Sequence, residues 1–147
     1  MTFRSLLFGT GTTSRLTDLG LLLIRLGFGL TLAFAHGLGK IPPSAGFVDG
    51  VAAIGFPLPT LFAWAAGLAE FVGGLLLAFG LLTRPAGLFV AFTLGVAAFG
   101  RHAGDAFADR ELALLYFVVG IAFAIMGAGR YALDTSIRRR DPSYTYT

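Results

Sequence analysis

Few residues in this chain are equipped for chemistry, and they interrupt long apolar runs. Arg25, His36, Lys40 and Glu70 stand within or at the edge of the first two runs, and Arg101, His102, Arg110 and Glu111 gather between the last two. A charged side chain at the centre of a membrane helix costs about 2.5–3.5 kcal/mol or more unless it is paired or wetted, so each one marks a candidate site. Arg25 and Glu70 carry opposite charges, and a rise of about 1.5 Å per residue places them within several Å of one another in depth. The expectation is a buried Arg25–Glu70 pair. It has two readings: part of a ligand or proton-relay site, or a contact that only fixes helix register, since a buried ion pair is weak evidence of stability.

His36 follows Arg25 by eleven residues, which at about 100° per residue returns it to nearly the same helix face, together with Gly29 and Leu32. Lys40, one turn on, continues that face outward. Glu70 is flanked by Gly67 and Gly74, small residues that let a neighbouring backbone approach, so its face is expected to point into a helix bundle. Trp64 points elsewhere and reads as an interface anchor. The outer ends of the runs thus gather His36, Lys40, Arg101, His102, Arg110 and Glu111 into a candidate polar pocket. The plain alternative is boundary charges solvated by water and headgroups, which is the preferred reading for Arg110.

The residue types limit the chemistry. With no cysteine, the chain forms no disulfide or persulfide and offers no thiolate to a metal or iron–sulfur cluster. The two histidines lack a compact ligand spacing, so no metal site is expected. No glycine-rich nucleotide fingerprint, Walker sequence or serine–histidine hydrolase motif occurs. A proton relay or a quinone site remains, because a quinone head needs hydrogen-bonding partners such as His or Arg near a membrane surface and its tail needs an apolar groove.

These side chains must be positioned by membrane helices. The 147 residues are 56% hydrophobic and 13% charged, with a mean hydropathy of +0.80, far from a soluble domain. Segments of about 19–39, 58–82, 85–101 and 111–128 each approach the roughly 20 apolar residues that a span requires. The predicted fold is therefore all-α, a polytopic bundle of four transmembrane helices. Thr17 and Asp18 are candidate N-caps for the first span, Pro57 and Pro59 suit the opening of the second, Arg84-Pro85 marks the turn into the third, and Gly127, Gly129 and Arg130 close the fourth.

Arg4, Arg15, Arg84, Arg130, Arg138, Arg139 and Arg140 fall on one side, against Lys40, Arg101 and Arg110 on the other. The positive-inside rule then places both termini in the cytoplasm. The first run is read as a retained span rather than a cleaved signal. Residues 1–18 form an N-terminal segment, 19–135 the membrane domain and 136–147 a basic tail. Between the first two spans, Phe47, Val51 and Ile54 recur at helical spacing, predicting a short amphipathic helix on the outer surface that could lid an outward-opening site. The net charge of +3 resides at the ends of apolar runs, which argues for topology rather than nucleic-acid binding.

Three stretches carry a family resemblance. His36-Gly37-Leu38-Gly39-Lys40 resembles the HGxxK signature of the DoxX family. Leu68-Ala69-Glu70-Phe71-Val72-Gly73-Gly74 through Gly80-Leu81-Leu82-Thr83-Arg84 resembles its second-helix signature, and Gly129-Arg130-Tyr131-Ala132-Leu133-Asp134 its closing motif. The resemblance runs from about residue 19 to 135. It implies a four-helix protein of the bacterial inner membrane, related to a subunit of a thiosulfate:quinone oxidoreductase and to membrane components of redox and oxidative-stress complexes. His36, Lys40, Glu70 and Arg84 carry over as signature residues.

Three functions remain open at this level. The first is a membrane subunit of a quinone-linked process, with quinone as cofactor and a soluble redox partner. The second is a non-catalytic scaffold that recruits soluble enzymes, and the third a small transporter or lipid-handling protein, for which no convincing inverted repeat is found. The lipid bilayer is a partner in every case, and the small-residue faces Ala69/Gly73 and Gly95 suit homo-oligomers.

Overall fold

A computed structural model of the protein describes residues 15–139; Arg4, Arg140 and the tail beyond Arg139 lie outside the described residues. Helix α1 (Arg15–Thr31) runs on through a π turn (Leu32–Gly37) and a short 3-10 turn (Leu38–Lys40). It is followed by α2 (Ala45–Ala53), α3 (Pro59–Phe79), α4 (Thr83–Val96, extended by a π turn over Ala97–Arg101), α5 (Phe107–Met126) and α6 (Leu133–Arg139). Among the described residues there is no strand. The four predicted spans fall on α1, α3, α4 and α5.

Several boundaries differ from expectation for local reasons. Thr17 and Asp18 lie inside α1 rather than capping it, and the Asp18 carboxylate instead accepts a hydrogen bond from the Arg130 backbone N–H at 2.9 Å. Pro59 does occupy the first turn of α3, where its missing N–H is no loss. The bend from α3 to α4 sits at Gly80–Leu82, so Arg84-Pro85 already belongs to the first turn of α4. Gly80 takes φ +67, a left-handed conformation that glycine adopts without a Cβ clash.

Glycine pairs bring the long helices together. A Cβ on Gly74 would stand 2.7 Å from the Gly29 carbonyl oxygen and 2.9 Å from the Ala33 nitrogen, so α3 and α1 meet backbone to backbone. Gly87 and Gly120 do the same for α4 and α5. This close small-residue packing suits helices in lipid, where apolar burial gives little drive to associate. Between the pairs, Leu32, Leu77, Val90 and Phe123 fill a core that is at most 1% exposed.

The outside of the bundle is apolar, with Leu23, Phe34, Leu88, Phe89, Val118 and Ile125 all more than half exposed. Residues Arg15–Lys40, Pro59–Phe79 and Thr83–Arg101 form three helices long and apolar enough to cross a membrane. In α5 the charges Asp109, Arg110 and Glu111 occupy the opening turns, leaving a shorter apolar stretch, Leu112–Met126. The amphipathic segment predicted between the first two spans is α2. Ser44 caps it, its Oγ accepting from the Phe47 N–H at 3.3 Å, and Val51 is its buried residue.

Candidate functional site

Lys40 and Glu70 define the site. The Lys40 ammonium donates to both Glu70 carboxylate oxygens, at 2.5 and 2.7 Å. Glu70 is nearly enclosed, whereas the Lys40 side chain is 32% exposed. The backbone explains how they meet. The π turn over Leu32–Gly37 widens the end of α1, a deviation that recurs at functional sites, and Gly37, lacking a Cβ, lies directly against the backbone of Glu70 and Phe71. Gly67, one turn before Glu70, leaves room for the Lys40 backbone and Cβ. Gly37 of the first signature and Gly67, just before the second, thus let the charged pair close. On its far side the Lys40 ammonium stands 5.5 Å from the centre of the Phe47 ring on α2, a cation–π distance.

The pair lies at one wall of a cavity of about 150 Å³ within the bundle, to which α1, α3, α4 and α5 all contribute. His36, Lys40, Glu70, His102, Asp109 and Tyr116 supply its polar lining, and Leu94, Ala97, Leu112 and Ala113 the apolar part. The His36 imidazole packs edge-on to the Tyr116 ring, centroids 5.4 Å apart. At the rim, His102 Nδ1 lies 2.7 Å from Asp105 Oδ2. At ~30 Å³ per molecule the space suits about five waters or one small ring.

Of the residues singled out in the sequence, His36, Lys40, Glu70 and His102 converge on this cavity. Arg101 is exposed and lies beside Gly50 of α2, while Glu111 is exposed and does not line the cavity. Asp109 and Tyr116 escaped the sequence reading. Their signal was the stripe 109, 112, 113, 116, which keeps one face of a helix over two turns and carries a carboxylate at one end and a phenol at the other.

Arg25 does not pair with Glu70. Its Nε donates to the Ala78 carbonyl at 3.1 Å, and its terminal nitrogens donate to Ala128 and Tyr131 at 2.5 and 2.6 Å. Gly29 packs at the level of Gly74 and Ala78, so Arg25, one turn earlier, faces the end of α3. Eight residues separate Ala78 from Glu70, about 12 Å along the axis. Arg25 therefore belongs to a second polar cluster at the opposite end of the bundle. There Asp134 accepts from the Leu82 and Thr83 N–H groups at 2.7 and 2.9 Å, capping α4, and its own N–H donates to Gly80. The closing motif of the sequence thus ties the C-terminal segment to α1, α3 and α4. Arg84 lies half-buried in the first turn of α4, at this end rather than in the cavity.

The architecture is that of a small all-α, multi-pass membrane protein with a polar cavity set among its helices. The chain belongs to the DoxX family, whose profile matches residues 20–103. It is 32% identical to the Bacillus subtilis protein named "Putative oxidoreductase CatD", over 80% of this chain and 86% of that one. It is 34% identical to the Escherichia coli inner membrane protein YqjF over 86% of this chain and 98% of the relative. Inner membrane protein YphA of E. coli is 35% identical over 67% and 76% of the two chains. These relatives, with the spanning helices, place the protein in the bacterial inner membrane. No solved structure matches the chain significantly.

Proposed function

We propose that the protein is a membrane subunit of a quinone-linked redox process and that the cavity beside Glu70 receives the quinone head. One observation carries this reading: a buried carboxylate and a part-exposed ammonium share a cavity with two histidines and a tyrosine. A quinone accepts an electron pair and a proton at each of its two oxygens. The Lys40 ammonium has a third N–H beyond the two it gives Glu70, and His36 and Tyr116 add hydrogen-bonding groups for a carbonyl oxygen. Lys40 and Glu70 between them hold a proton that can move to a reduced quinone oxygen and be replaced from water.

The electrons come from a soluble redox partner. The name of the B. subtilis relative supports a redox role. An apolar cavity of about 270 Å³ under α2, lined by Ala69 next to Glu70, offers space for part of a tail. In this reading α5 is the fourth crossing, held against α4 at Gly87 and Gly120, and Arg15, Arg84, Arg130 and Arg138 mark the cytoplasmic face.

Purification in mild detergent followed by extraction of bound lipid tests the proposal. The expected result is quinone stoichiometric with wild-type protein and lost from Glu70→Gln. No quinone in the wild type, together with unchanged quinone reduction in Glu70→Gln, would overturn it.

A further inference from the structure

We infer that the Glu70 site exchanges protons with one aqueous phase only, that of the membrane face carrying α2. The inference deepens the reading above but rests on the shape and polarity of the cavity, which hold whatever the ligand. The cavity opens where α1 and α4 end and α5 begins, and its rim bears His102, which is 34% exposed and paired with Asp105, and the exposed Asp109. Exposure falls inward from that rim. Lys40 is 32% exposed, Tyr116 7%, Leu94 6% and Glu70 2%.

Beyond Glu70 the polar lining stops. Leu32, Leu77, Val90 and Phe123, at most 1% exposed, fill the bundle between the cavity and the Arg25 cluster. A proton on Glu70 has a way out lined by the polar side chains of Asp109 and His102, and packed hydrocarbon in the other direction. The groups facing Glu70 are Lys40 and His36 from α1, with Tyr116 and Asp109 from α5 and His102 from the α4–α5 link along the same cavity. Uptake is a plain transfer: hydronium gives its proton to the Glu70 carboxylate, leaving water and a neutral carboxyl beside Lys40.

The absence of cysteine from the chain makes the test direct. Ala97→Cys and Ala113→Cys place a thiol on two separate walls of the cavity, and Val90→Cys places one in the plug. Each is treated with a charged, membrane-impermeant thiol reagent in right-side-out and inverted vesicles. Either wall position should react at least tenfold faster from the α2 face, with Val90→Cys inert from both. In the same vesicles the infrared carboxyl band that disappears in Glu70→Gln should follow the pH of the α2 face, and Asp109→Asn should slow its response. Wall labelling from the opposite face, labelling of neither wall, or a carboxyl band that follows the opposite pH would each overturn the inference. None of these readouts uses quinone, so this idea and the quinone reading fail separately.

Discussion

The Lys40 ammonium, at the end of the 3-10 turn that continues α1, closes on both oxygens of the Glu70 carboxylate in the middle of α3, at 2.5 and 2.7 Å. Thirty residues separate them in the chain, yet two glycines, Gly37 and Gly67, clear the space in which they meet. Their asymmetry of exposure, 32% against 2%, governs what each substitution does.

Lys40→Met leaves the Glu70 charge enclosed and unpaired. Breaking a fully buried pair costs about 3–5 kcal/mol, and the partial exposure of Lys40 lowers this to about 2–3 kcal/mol. The double variant Lys40→Met/Glu70→Leu removes both charges and should recover most of the loss. Thermal unfolding in detergent reads the difference; a double variant less stable than Lys40→Met would contradict it.

Arg25→Lys keeps the charge but loses the planar fork that reaches three carbonyls. At about 1.5–3 kcal/mol for each hydrogen bond to a charged group, losing two costs ~3 kcal/mol or more. Under the proposed quinone reading, the folded fraction should bind as much quinone as the wild type, because Arg25 stands at the other end of the bundle. Bound quinone per folded protein separates this outcome from that of Glu70→Gln.

Asp134→Ala strips the cap from α4 and leaves the Leu82 and Thr83 N–H groups without that acceptor. The expected cost is about 1–2 kcal/mol. Limited proteolysis should cut first near residues 80–83, where the cap is lost.

Gly74→Ala drives a methyl group into the backbone of α1, whereas Gly27→Ala and Gly39→Ala meet open space. The first should destabilise by about 1–3 kcal/mol. Gly27→Ala, inside α1, should be neutral or stabilise by about 0.5–1 kcal/mol. Equal melting temperatures for Gly74→Ala and Gly27→Ala would show that α1 and α3 are not packed backbone to backbone.

The helices were legible because apolar length and turn residues report them directly, and α2 because Phe47 and Val51 keep a helical interval. His36, Lys40 and Glu70 were legible as charge or polarity in an apolar context. Their pairing was not. Rise along isolated spans gives depth only once the helices are aligned, and that alignment is set by Gly29 against Gly74, a contact between glycines that carries no charge signal. The π turns at Leu32–Gly37 and Ala97–Arg101 shift the faces of α1 and α4 without any sequence mark. Asp18 and Asp134 act on backbone groups far along the chain, beyond any local capping pattern. Tyr116 hid in an apolar run, where an aromatic residue reads as filler.

The carbonyl cradle of Arg25 also bears on biosynthesis. Two of its three acceptors, Ala128 and Tyr131, follow it by 103 and 106 residues. Arg25 is thus synthesised before all three of its acceptors, and its cradle is complete only once Tyr131 has been added. A chain that stops after α4 can offer Arg25 only the Ala78 carbonyl. The segment after α5 thus completes the polar environment of a charge placed more than a hundred residues earlier.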